Sequence, residues 1–173
     1  MEFLDGQGFD KARAVLRRDH SLSIRLVQIA RKQVIAFNHI LSACQSVGGR
    51  TLSIHSRHAA SKVLDCLEAY PDAGVPILHW FSGSPSELRR AIAVGCWFSV
   101  GRPMTKSAKG VEHLKSMPRD RILTETDAPF ASAPTDTFRD LETTVKALAD
   151  VWACSSDEAA DQLKSNLRHL AAK

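Results

Sequence analysis

Along residues 21–47 the apolar positions Leu26, Ala30, Val34, Phe37, Leu41 and Cys44 recur at three- and four-residue steps, and Gly48-Gly49 stands where the stripe stops. A single apolar stripe closed by glycine, which takes a left-handed φ without steric cost, predicts one long amphipathic helix. The period then shortens. Thr51-Leu52-Ser53-Ile54-His55 predicts a strand, residues from about 58 to 68 a helix, and Tyr70-Pro71-Asp72-Ala73-Gly74 a turn. The pattern repeats with a strand over 75–80, which carries His79 at its end, and a helix opened by Ser84-Pro85-Ser86-Glu87. In that opening a serine oxygen and a glutamate carboxylate satisfy free backbone amides, while proline sits where no amide is needed. Gly95 ends this helix near Val94, residues 96–100 predict a third strand, and a loop from Gly101-Arg102-Pro103 leads to a modest helix over 111–116. A fourth strand over 121–126 runs Ile122-Leu123-Thr124-Glu125-Thr126 into Asp127, and Ala128-Pro129 stops it because proline cannot donate to a ladder. Helices over 137–152 and 157–171 follow, the second announced by Ser155-x-x-Glu158. The first twenty residues mix Gly6, Gly8, Arg13, Arg17 and Arg18 with little periodicity.

Four strands alternating with helices predict right-handed βα units on a parallel sheet, an α/β fold, with the strands neighbouring one another in chain order. Parallel pairing brings His55, His79 and Asp127 to the carboxyl edge of the sheet, where α/β folds place their chemistry. Two imidazoles and a carboxylate make a mixed nitrogen and oxygen set suited to zinc, manganese or iron. Each of these residues alone has a plainer explanation. A strand-end histidine is usually a satisfied core or surface residue, and Asp before Pro often starts a turn; the convergence of three strand ends shifts the reading to a site. Strand alternation turns Glu125 the same way as Asp127, and a carboxylate inside a fold needs a partner, so Glu125 is expected to support a ligand. By the same alternation Ser53, Ile77, Phe98 and Glu125 are expected to face inward. Trp80 is expected on the opposite, helix-facing side. Arg57 has the forked donors that grip phosphate, although a solvated arginine explains it equally. Ser82 and Gly83, ahead of a helix, could receive a phosphate on free amides, whereas Ser84 is accounted for by capping.

A length of 173 residues with 44% hydrophobic and 24% charged residues suits one soluble core, which makes a single domain the expectation. No apolar run approaches the ~18 residues of a membrane span, and Met1-Glu2-Phe3-Leu4-Asp5 lacks the pattern of a signal peptide, so the expected location is cytoplasmic. Cys44, Cys66, Cys96 and Cys154 form no Cys-x-x-Cys pair, which argues against a zinc knuckle or disulfide framework and for small buried hydrophobes. A net charge of +4 from 23 basic and 19 acidic residues is compatible with an anionic partner.

The stretches Ile54-His55-Ser56-Arg57, His79-Trp80-Phe81-Ser82-Gly83-Ser84 and Leu123-Thr124-Glu125-Thr126-Asp127-Ala128-Pro129-Phe130 resemble, in order and spacing, the closing motifs of TatD-type metal-dependent deoxyribonucleases. With Gln33-x-x-x-Phe37 before them and Cys96-Trp97-Phe98-Ser99-Val100 between, the resemblance covers roughly residues 30–173. The wording of Leu52-Ser53-Ile54-His55-Ser56-Arg57 and His79-Trp80-Phe81-Ser82-Gly83 is similar to the TatD-like component of Qat anti-phage defence operons.

The resemblance implies a TIM barrel, which takes eight strands and ~250 residues. The four strands here are therefore expected to be the C-terminal half of such a barrel, an incomplete one. Residues 1–173 would form a single partial domain that opens with a divergent segment over 1–29. In the family two ions share a glutamate; one is completed by a His-x-His pair and the aspartate, the other by two later histidines. No His-x-His pair precedes the matching stretches, His20 being the first histidine, and Glu2 in Glu2-Phe3-Leu4-Asp5-Gly6 is one residue short of the spacing for the glutamate strand. The implied cofactor is thus at most one divalent ion, Mg, Mn or Zn, held by His55, His79 and Asp127 with Glu2 as a doubtful fourth. Asp127 is the implied catalytic residue, as a ligand or as a base orienting water. The implied partner is DNA, together with another chain completing the barrel or other defence-operon proteins, and no membrane. The alternative is a truncated or degenerate barrel without catalysis that serves as a binding or regulatory subunit or is a gene fragment.

Overall fold

The structure, a computed structural model, describes residues 20–129 and 133–172. They fall into two compact units, the chain to Pro76 together with Ser82–Gly95, and Ile77–Phe81 together with the chain from Cys96 onward.

The first unit opens with helix α1, His20–Ser46. Its stripe behaves as the spacing predicts, with Phe37 and Leu41 buried and the helix packed on α2, Ala60–Ala69. Gly48 and Gly49 at φ 86° and 83° end α1, and the Gly49 amide donates to the Cys44 carbonyl at 2.9 Å. Strand β1, Arg50–His55, follows directly. Helix α2 starts two residues later than the sequence predicts because His58 takes a left-handed φ of 56°, which a helix cannot contain. Val63, Leu64, Cys66 and Leu67 then line its buried face. Gly74 begins strand β2, Gly74–His79, at φ 130°, and a Cβ there would lie 1.8 Å from the Arg50 carbonyl oxygen, so only glycine fits. Helix α3, Pro85–Val94, carries the predicted capping box: Ser84 Oγ accepts from the Glu87 amide at 3.3 Å and Glu87 Oε2 accepts from the Ser84 amide at 2.7 Å. Arg90 of α3 grips α2 by donating to Asp65 at 2.7 Å and to both oxygens of Glu68 at 2.6 and 2.7 Å.

The second unit contains strand β3, Trp97–Val100, helix α4, Arg102–Lys106, helix α5, Ala108–Ser116, and strand β4, Ile122–Thr124. Helices α6, Thr137–Trp152, and α7, Ser156–Ala171, complete it. Helix α4 is absent from the sequence expectation, since five residues with proline near the start carry no periodic signal. The strands are ordered β1-β2-β3-β4, as chain order predicts, with β2/β3 and β3/β4 parallel. Leu78 pairs with Phe98 and Phe98 with Ile122, and all three are fully buried. His79 pairs with Ser99 and Ser99 with Leu123, which defines the other face. This corrects one expectation: Phe98 does not share a face with Ile77, whose partner is Trp97, and Ser99 takes the place assigned to Phe98. Ser53, expected to be less covered than in a closed barrel, is exposed. On the apolar face the Phe81 ring stands edge-on to Phe98 at 6.0 Å and tilted against His113 of α5 at 5.6 Å. Helix α7 is tied to β4 by buried Asn166, whose Nδ2 donates to the carbonyls of Arg119 at 2.7 Å and Ile122 at 2.8 Å.

Candidate metal centre

Two strand exits build the site in the second unit. β2 ends at His79 because Trp80 turns left-handed at φ 43°, while its amide still donates to the Ser99 carbonyl at 3.2 Å. Trp80 is therefore a turn residue, half-buried, and not the last residue of a strand. β4 is also shorter than predicted. It stops at Thr124, and one further ladder bond, from the Glu125 amide to the Val100 carbonyl at 2.9 Å, carries the chain to Glu125. Asp127 then takes φ 52° before the cis Ala128–Pro129 bond, so a left-handed turn, not strand alternation, aims its carboxylate. Aspartate is among the few side-chain-bearing residues that accept this conformation readily.

These exits bring His79, Glu125 and Asp127 together. His79 Nε2 lies 3.3 Å from Asp127 Oδ1, and His79 Nδ1 is paired with Glu125 Oε2. Ser99 Oγ donates to the same Glu125 oxygen and lies 3.3 Å from His79 Nδ1. The side chains of His79 and Glu125 are 14% and 10% exposed and that of Asp127 is 23%, so the pocketed end is Glu125 and the open end Asp127. Burial opposes the imidazolium, but the hydrogen bond and charge of Glu125, and then of Asp127, outweigh it and raise the His79 pKa above its usual value. With Nδ1–H donated to Glu125, the Nε2 atom is the one that faces Asp127 and offers its lone pair when the ring is neutral. The contrast is His113, also buried, whose pKa is lowered by burial and by the charge of Lys109 with only a backbone bond at Phe81 in opposition.

The donor set fits a divalent cation. Two neighbouring ligands at ~2.0–2.1 Å from a tetrahedral ion are separated by about 3.3 Å, and Nε2 and Oδ1 stand 3.3 Å apart. Glu125 Oε1 is buried without a hydrogen-bond partner among the described residues, a second sign that this carboxylate cluster is electrostatically incomplete.

The remaining candidates lie elsewhere in the chain. His55 ends β1 in the first unit and, like His79 and Asp127, is half-buried and able to offer one ligand atom. Arg57 is exposed just beyond it. Ser82 is exposed and Gly83 half-buried ahead of α3, while the Ser84 hydroxyl is engaged by the Glu87 cap. Glu2 lies outside the described residues. Sequence reasoning missed Ser99. Its only signal is a hydroxyl in the otherwise apolar run Trp97-Phe98-Ser99-Val100, and the strand register is what reveals its partners.

A family profile described as TatD related DNase matches residues 17–171. The chain is 36% identical over 83 residues to the deoxyribonuclease Tat-D of Schizosaccharomyces pombe, an alignment covering 46% of this chain and 26% of that protein. It is 33% identical over 127 residues to a metal-dependent hydrolase, TatD, of Mycobacterium tuberculosis, covering 69% and 48% respectively. A crystal structure of the TatD homolog YJJV from Escherichia coli superposes with a TM-score of 0.60 at 24% identity, covering 69% of this chain and 49% of that one, which shows a shared fold. In each case less than half of the relative's length is matched.

Proposed function

The chain belongs to the TatD-related DNase family, whose named relatives include metal-dependent hydrolases, and on that basis we propose that it hydrolyses phosphodiester bonds of DNA with a divalent ion at His79 and Asp127. The observation that carries the reading is the His79–Asp127 spacing backed by a buried, incompletely satisfied Glu125. The sequence pattern, in which His55 ends its strand as His79 does, makes His55 the candidate for a second nitrogen ligand. A divalent ion held there would supply an acidified water and positive charge for the phosphoryl oxygens. The protein's own groups have separate tasks. Glu125 and Ser99 hold the His79 ring by its Nδ1 edge and keep Nε2 directed at Asp127. Asp127, the most exposed carboxylate of the cluster, is placed to orient the attacking water or take its proton. We assign one ion per chain, Mg²⁺, Mn²⁺ or Zn²⁺, since no His-x-His pair is present in the sequence to complete a second. The motif wording around His55 and His79, similar to the TatD-like component of Qat anti-phage operons, supports a role in anti-phage defence.

The short coverage of the relatives supports a second reading, in which the chain lacks catalysis and serves as a binding or regulatory subunit. The experiment is a cleavage assay on labelled single- and double-stranded DNA with Mn²⁺ present or chelated. Hydrolysis that stops with chelator and is reduced at least ~100-fold in His55→Ala and in His79→Ala supports catalysis, since loss of a metal ligand removes the ion's several kcal/mol of transition-state stabilisation. Cleavage indifferent to chelator refutes it, and complete inactivity of the purified chain favours the second reading.

A further inference from the structure

The chain leaving β3 carries an arginine that is paired with a buried carboxylate and is still 39% exposed. Gly101 lies directly against the site, since a Cβ on it would be 3.3 Å from the Glu125 carbonyl oxygen and 3.4 Å from Glu125 Cγ. Arg102 is the next residue and opens α4. Its Nη1 donates to Asp140 Oδ1 at 2.8 Å, and the two side chains differ sharply: Asp140 is 5% exposed and Arg102 is 39% exposed. Asp140 stands in the first turn of α6, the helix that follows the loop from Asp127. The pair therefore bridges the segments that leave β3 and β4 at the end of the sheet where Glu125 and Asp127 stand.

A guanidinium has five donors in a rigid fork. Asp140 takes one of them, from the buried side, and anchors that end of the fork, while the arginine side chain remains 39% exposed. Arginine braced in this way is suited to bidentate contact with phosphate oxygens, and a flexible lysine is not. Lys106, exposed at i+4 on the same short helix, adds a second positive charge along that face. From this geometry we propose that Arg102, oriented by the buried Asp140, is a phosphate-binding residue for the DNA strand entering the metal centre. The inference rests on the proposed function, and it extends that reading by naming a backbone contact outside the metal ligands. Arg102 binds substrate; Asp140 is a positioning residue that acts through it.

The test is a fluorescence-anisotropy titration of a labelled single-stranded 20-mer in chelator, which prevents cleavage, at salt concentrations from 50 to 200 mM. Arg102→Gln is expected to weaken binding about 5- to 10-fold and to lower the salt dependence by roughly one phosphate contact. Asp140→Asn should weaken binding about threefold with the salt slope retained, because the Arg102 charge remains while the charge-assisted bond that orients the fork is weakened. Arg168→Gln, at an exposed arginine in the last turn of α7, should change neither. If Arg102→Gln melts below the assay temperature, Arg102→Lys keeps a cation beside Asp140 and should still lose about threefold in affinity. Wild-type affinity and slope in a folded Arg102 variant overturn the proposal, as does a wild-type chain that does not bind the strand. Adding Mn²⁺ to the same samples separates the two readings: binding without cleavage sinks the nuclease function and leaves Arg102 standing, whereas cleavage with unaltered Arg102→Gln binding does the reverse.

Discussion

His79 shows how much of the chemistry rests on one side chain held from two sides. Glu125 and Ser99 fix its Nδ1 edge, and Asp127 faces Nε2 across 3.3 Å. Removing the charge behind the ring should therefore weaken the ion in front of it. Glu125→Gln is expected to lower Mn²⁺ affinity about 10- to 100-fold, the usual scale for partners of a ligating histidine, with Ser99→Ala causing a smaller loss in the same direction; isothermal titration calorimetry reads both. The cysteines make a second residue-scale prediction. Burial pushes the Cys96 thiol up to about 12 and raises Cys66 as well, while Cys44 and Cys154 are half-buried. A thiol reagent at pH 8 should accordingly modify Cys44 and Cys154 in the native protein and reach Cys66 and Cys96 only after unfolding. His79, Glu125 and Asp127 were legible in the sequence because charged residues at the end of apolar strands have few structural uses. Ser99 was not, because a serine in a strand is unremarkable until register sets it beside two ionisable partners.

At the scale of elements the legible features are those with local causes. Both capping boxes, Ser84 with Glu87 and Ser155 with Glu158, form as their spacing predicts. Ser155→Ala should cost ~1 kcal/mol, read as a shift in the denaturant midpoint. The helix α7 contact with β4 depends on Asn166, which is 2% exposed and spans two carbonyls. Asn166→Ala leaves those carbonyls unsatisfied and should cost about 1–3 kcal/mol. What the sequence concealed was where strands end. Thr124, Glu125, Thr126 and Asp127 alternate like a strand, yet the ladder closes at Glu125 and a left-handed turn aims Asp127; periodicity reports side-chain direction and not the φ of a single residue. The Arg90 clasp gives this scale its pH dependence. Hydrogen bonds from Arg90 lower the pKa of Asp65 and Glu68 below their usual 3.8 and 4.5. Folded values below unfolded ones mean that the stabilisation is complete above those usual values and is lost as pH falls through the folded values. A melting curve taken from pH 6 to pH 2 should fall less steeply in Arg90→Met than in the wild type, and a parallel fall would contradict the assignment.

For the molecule as a whole, family membership and the order of its strands were readable, because each βα unit carries its own turn, cap and period. The chain nevertheless matches less than half of the length of the relatives compared above. That makes metal stoichiometry the quantity on which the account turns, since the proposed site at His79 and Asp127 holds a single ion. The most direct measurement is a titration of the chelator-treated full chain with Mn²⁺, in which free ion is followed by its electron paramagnetic resonance signal, for wild type, His79→Ala and Asp127→Asn. The account predicts one bound ion per wild-type chain and at least a tenfold loss of affinity in each variant. Two ions per chain, or wild-type affinity in His79→Ala, would contradict it.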